Sequence, residues 1–227
     1  MTTHTATAPS TTIRSRRGRL ITAPPAAGIA FVAAWAAGLA VWPSNLEVAA
    51  SGTRVVSAYS GHQGVAVTQY LLVEGVAAIA LAIVVMALGR AMIRRGAARR
   101  GRVVLVAGAG AVVVSLVECA LGLWLSAGAV PDGEAGRAGV LFHVINRLDG
   151  VKMLALAAVA LAAINLPRGG VPRWLGYVGV PMAAAMITSG VGYLLLNDPL
   201  AHAAAVSLAL LLIWVAATGV TVGRASG

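Results

Sequence analysis

The sequence predicts an all-α integral membrane protein, a bundle of six transmembrane helices with both termini in the cytoplasm. Three observations carry this reading. Of the 227 residues, 59% are hydrophobic and 11% charged, and the mean hydropathy is +0.87. A soluble domain carries roughly 25% charged residues, and a lipid environment accounts for the deficit. The apolar residues fall into six runs close to the ~20 residues that a transmembrane helix needs. The cations gather in alternate connections between those runs.

In chain order, residues 1–20 hold Arg14, Arg16, Arg17 and Arg19 among Thr, Ser and Ala. They read as a disordered basic tail that meets anionic headgroups. A single transmembrane domain, residues 21–223, follows. Helix 1 is expected over 21–42, with Pro24 and Pro25 in its first turn, where no amide hydrogen is needed. Its apolar stretch is longer than the hydrophobic region of a signal peptide. Helices 2 to 6 are expected over 70–88, 103–127, 148–164, 174–196 and 203–222. Pro181 falls inside helix 5 and predicts a kink there. Backbone in lipid must satisfy its own hydrogen bonds, so these runs are helices.

Thirteen of the seventeen Lys and Arg lie in the tail, the connections after helices 2 and 4, and the C-terminus. Loops rich in Lys and Arg stay in the cytoplasm, which places those segments inside. All seven acids (Glu47, Glu74, Glu118, Asp132, Glu134, Asp149 and Asp198) fall on the opposite side or on that half of a helix. Trp42, Trp124 and Tyr193 near the outer ends and Trp174 and Tyr177 at an inner end suit interfacial belts. The net charge of +10 is a membrane-surface feature on this placement, not a nucleic-acid footprint.

Residues 62–87 align with residues 137–162 at a constant offset and without gaps. Gly64-Val65 matches Gly139-Val140, and Glu74-Gly75-Val76 matches Asp149-Gly150-Val151. The match predicts a bundle of repeated helical hairpins pointing the same way, with Glu74 about one turn below the outer end of helix 2 and Asp149 at the matching depth on helix 4. The parallel relation lacks the inverted symmetry common in alternating-access transporters.

An ionisable group inside a membrane is a functional hypothesis by default. Glu118 is expected about 14 Å below the outer end of helix 3, from the helical rise. His143, Asn146, Asp149 and Lys152 recur every three residues and form one slanting stripe, with Arg147 on a nearby face. Ser189 and Tyr193 put two hydroxyls on one face of helix 5. Together with Glu74, these nine residues are candidates for a water-accessible pocket that opens outward. Salt bridges from Lys152 or Arg147 to Glu74, Glu118 or Asp149 that simply lock the bundle are the competing reading. The three outer histidines, His62, His143 and His202, come from separate loops without metal-site spacing, so no metal is expected. No P-loop, dinucleotide fingerprint or GxSxG occurs, and no cofactor is expected. Cys119 reads as a small buried thiol. The glycines at 107–110 and 189–192 read as close helix contacts.

The stretch from Gly64-Val65 to Gly75-Val76, the segment Asn146 to Met153 and the segment Pro172 to Gly179 resemble a group of actinobacterial multi-pass membrane proteins of a domain-of-unknown-function class. Sixteen Arg against one Lys, with abundant Ala and Gly, accord with that source. The resemblance implies a helical membrane fold and assigns no activity to any residue. From the residues themselves, the expected function is binding, sensing or moving a small ligand in an outward-facing pocket. An intramembrane enzyme using a buried carboxyl as general acid on an apolar substrate, in the manner of small membrane terpene cyclases, is the alternative. Against it stand the 5% aromatics, because cation-forming chemistry benefits from aromatic faces. A regulatory partner docking on the basic 90–102 loop is a third. Membrane lipid and a small molecule are the expected partners.

Overall fold

The computed structural model describes residues 14–42, 46–164 and 173–224, with side chains from Ala23 in the first segment and from Trp174 in the last. The expectations for residues 1–13 and for Arg168 lie outside the described residues. The described residues form helices joined by short turns, with no strand among them. We label the helices α1 (Arg14–Val41), α2 (Gly52–Tyr59), α3 (Gln63–Arg94), α4 (Ala98–Ala129), α5 (Ala135–Ala163), α6 (Arg173–Leu195), the single turn α7 (Asp198–Ala201) and α8 (Ala203–Arg224).

Five stretches are long and apolar enough to cross a membrane: Ala23–Val41, Gln63–Arg94, Ala98–Ala129, Trp174–Leu195 and Asp198–Arg224. α5 has the length, at 29 residues, but Arg147, Asp149 and Lys152 interrupt its apolar run. The long helices form a ring in chain order. α1 packs on α3, α3 on α4, α4 on α5, α5 on α6 and α6 on α8, and α8 closes back on α1. Short connections force this neighbour-to-neighbour packing. The main core runs through the lower bundle, with Phe31, Leu88, Met92, Leu156, Met182, Met186 and Trp214 all buried. Ile79, Val106, Val140, Val180 and Ile213 point outward and are at least half exposed, a surface that lipid satisfies and water does not.

Several boundaries differ from expectation. α1 begins at Arg14, so part of the expected tail is helix and Pro24 and Pro25 lie in its interior. Tertiary contact explains their place. A side chain at Gly219 of α8 would meet the Pro24 carbonyl at 2.5 Å, and one at Gly28 would meet Val215 and Ala216 at 3.2 Å. Pro181 lies inside α6, as expected. α3 starts at Gln63 and α5 at Ala135, well before the apolar runs begin, and these first turns mix buried Ala66, Ala138 and Gly139 with exposed Thr68 and Arg137. α2 is absent from the apolar pattern altogether. It is a short amphipathic helix that buries Val55 and Tyr59 against α5 and starts at the N-cap Ser51.

Two segments wind as π-helix, Leu71–Val76 within α3 and Leu125–Ala129 at the end of α4. Such bulges insert a residue into a turn and re-aim its side chains. The first contains Glu74. No such bulge occurs in α5, so the two stretches of the sequence match differ locally here.

Glycine contacts support the close-packing reading at several positions. Gly108 lies against Val85, and Gly192 against Leu200 and Ala201, while a side chain at Gly110 would meet open space. Gly150 and Gly190 face each other across α5 and α6, each 2.7–3.0 Å from the other's carbonyl once a Cβ is placed. This crossing lies beside Asp149 and Ser189 and leaves no room for a side chain between the helices. Cys119 is a buried free thiol, as expected, near Gly75.

Candidate functional site

At the centre of the bundle, Lys152 on α5 meets three carboxylates from three helices. Its Nζ donates to both oxygens of Glu74 on α3 at 2.8 and 2.9 Å, and to Glu118 Oε2 on α4 at 2.6 Å. It also pairs with Asp149 Oδ1, one turn earlier on α5, at 2.8 Å. An ammonium has three N–H bonds, and three carboxylates take them up. The side chain of Glu118 is 1% exposed, that of Lys152 4% and that of Asp149 21%. The second oxygen of Glu118 is buried without a hydrogen-bond partner among the described residues.

The depths follow from the helix starts. Glu74 and Glu118 each lie eleven residues from the acid-rich end of their helices, about 16 Å along the axis, and Asp149 lies fourteen residues in. The expectation of Glu74 one turn from the end of its helix, with Asp149 at the matching position, is therefore corrected. Both helices extend beyond their apolar runs at the acid-rich end, which places the acids farther from the helix ends.

Formally, three carboxylates and one ammonium carry a charge of −2. In a low-dielectric interior an uncompensated charge is heavily penalised. Protons or a second cation complete the balance. Carboxylate oxygens of Glu74, Glu118 and Asp149 come within 4.8 Å of one another, a spacing that suits a small cation.

The outer half of the α5 stripe does something else. His143 Nε2 lies 3.1 Å from the Ala50 carbonyl, and Asn146 Nδ2 donates to the Val48 carbonyl at 3.2 Å. Val48 N in turn donates to Asp198 Oδ1 at 2.7 Å. These bonds pin the 46–50 segment across the acid-rich end. His143 and Asn146 are thus holders of this cap and do not touch the cluster. Arg147 is exposed and stays out of the cluster, because it projects from the opposite side of α5. Ser189 is buried and donates to the Met186 carbonyl of its own helix at 3.2 Å. The histidines do not gather: His62 lies against the Ser60 carbonyl and His202 against the Asp198 carbonyl.

Tyr193 links the two levels. It lines a cleft of about 340 Å³ at the acid-rich end, with Glu47, Val48, Asp198 and His202. Its hydroxyl also feels the charges of Asp149 and Lys152. A second hydroxyl pair caps the cluster from the α3 side. Tyr59 and Tyr70 bring their oxygens to 3.2 Å. Burial pushes the Tyr59 hydroxyl above its ordinary value, while its bond to Tyr70 pulls it down. The Tyr70 ring packs against Gly122, one turn from Glu118. Neither tyrosine was among the expected site residues. Tyr70 sits four residues before Glu74, a spacing that places them on one helical face, and that signal was legible.

No protein-family model, curated protein or solved structure matches the chain.

Proposed function

We propose that this is a six-span membrane protein of the cytoplasmic membrane, both termini inside, that binds a small cation at the Glu74–Glu118–Asp149–Lys152 cluster, reached from outside through the Tyr193 cleft. The observation that carries this reading is the convergence of three buried carboxylates on one ammonium. A purely structural pair needs one acid; three leave room for a second positive charge. The acids concentrated at the cleft end favour approach of a cation. The segregated arginines support the orientation, and the shared Glu-Gly-Val and Asp-Gly-Val pattern supports hairpins of common ancestry.

A primary ammonium is already seated on these carboxylates, so methylammonium is a fitting probe. Titrated into purified protein at constant ionic strength against tetramethylammonium, it is expected to raise the melting temperature in a saturable way. Stabilisation grows as the logarithm of concentration, about 2.7 kcal/mol at one hundred times Kd. Glu118→Gln keeps the size and an acceptor for Lys152 but removes a charge. It should melt at or above the wild type and lose the methylammonium effect. Equal stabilisation by tetramethylammonium, or a lowered melting temperature of Glu118→Gln, identifies a structural salt bridge instead.

A further inference from the structure

The opposite, arginine-rich end carries a feature the cation site does not use. A groove of about 510 Å³ runs along α4 from its first turn, lined by Ala98, Arg99, Arg102, Val103, Val106 and Ala107. Its walls are almost wholly apolar apart from the two arginines. Val106 is 74% exposed and Val103 42% exposed. Ala98 and Ala107 keep the floor shallow. Arg99 and Arg102 are exposed and three residues apart, hence neighbours on one face of the helix. Arg100, between them in sequence, turns away to donate to the Ile164 carbonyl at 3.0 Å. None of the seven acids lies at this end. The helix starts at Ala98 after Ala97, which brings no side-chain cap to the first-turn amides, and that end of a helix favours an anion.

We propose that this groove is a binding site for one anionic phospholipid of the inner leaflet. Its phosphate sits between Arg99 and Arg102, where guanidinium groups bind phosphate oxygens in pairs. One acyl chain lies along Val103 and Val106. The charge and the apolar track are in the right order along the axis. From Arg102 to Ala107 the helix rises about 7.5 Å, from headgroup level toward the hydrocarbon. A second apolar groove of about 420 Å³, between α1 and α3 and lined by Ala23, Val76, Ile79 and Ile83, has no cation among its described lining residues. It provides the internal comparison, because contact with acyl chains alone does not distinguish lipids by charge. The inference rests on the membrane reading and its orientation, not on the cation site.

The test is native mass spectrometry of the full chain in detergent, titrated with phosphatidylglycerol, phosphatidylcholine or inorganic phosphate. One phosphatidylglycerol is expected to bind at least tenfold more tightly than phosphatidylcholine. Arg99→Gln with Arg102→Gln should remove that preference, while Arg94→Gln with Arg95→Gln, an equal loss of charge, should keep it. Val106→Trp leaves both arginines and fills the exposed track, so it should weaken phosphatidylglycerol binding even if the arginine pair variant fails to fold. Equal binding of the two lipids, full competition by inorganic phosphate, an equal loss in the Arg94 and Arg95 variant, or unchanged binding in Val106→Trp would overturn the proposal.

Discussion

Lys152→Met is expected to be the most damaging single substitution in the bundle. Methionine matches the length of the lysine stem but removes the ammonium that pairs with Glu74, Glu118 and Asp149. Three carboxylates from three helices would then face one another in a buried centre. Breaking a buried ion pair costs about 3–5 kcal/mol in soluble proteins, mostly from the charge left behind. An interhelical hydrogen bond in a membrane averages about 0.6 kcal/mol, so the unbalanced charge, not the lost bonds, dominates. The variant should accumulate poorly and melt well below the wild type. Neutralising the acids as well, with Glu74→Gln, Glu118→Gln and Asp149→Asn, should recover much of the loss. A neutralised variant that melts as low as Lys152→Met alone would show that packing of the lysine stem, not charge, is what matters.

Gly122→Ala is expected to be the second. A Cβ there collides with the Tyr70 ring, which is itself held by the Tyr59 hydroxyl. Neither partner can retreat cheaply: α4 is pinned by Glu118 one turn away and Tyr70 lies one turn before Glu74. Overpacking of this kind costs roughly 1–3 kcal/mol. Thermal melting should fall accordingly, and Tyr70→Leu should restore it, because the smaller side chain clears the new methyl. Tyr70→Phe should not, since the ring remains. Failure of Tyr70→Leu to rescue would mean that Gly122 is needed for another reason.

The helical bundle was legible from the sequence because lipid leaves a direct record in composition and run length. Five of the six expected runs have the length and hydropathy to cross a membrane, and the sixth, α5, carries the site. Its charges make it the least apolar of the expected runs and the most informative one. The convergence on Lys152 was legible as one alternative, since Glu74, Glu118, Asp149 and Lys152 were all singled out. The fate of the stripe was not. A spacing of three drifts around the helix, and His143 and Asn146 end up facing the 46–50 cap while Lys152 faces α3 and α4. Helix ends were missed for a related reason. The first turns of α3 and α5 and the whole of α2 mix buried with exposed residues, so no apolar run marks them. The π-bulge at Leu71–Val76 has no signature in the local sequence.

The measurement that bears most directly on the central claim is access of water-soluble cations to the cluster from the outer side. Asp149 is its most exposed member, and Cys119 is the sole native cysteine. In a Cys119→Ser background, Asp149→Cys should react with an impermeant cationic thiol reagent in intact cells, as should the exposed outer control Ser60→Cys. Arg94→Cys, at the arginine-rich end, should react only after permeabilisation. Reaction of Asp149→Cys only from the inner side, or none while Ser60→Cys reacts fully, would contradict an outward-facing cation site.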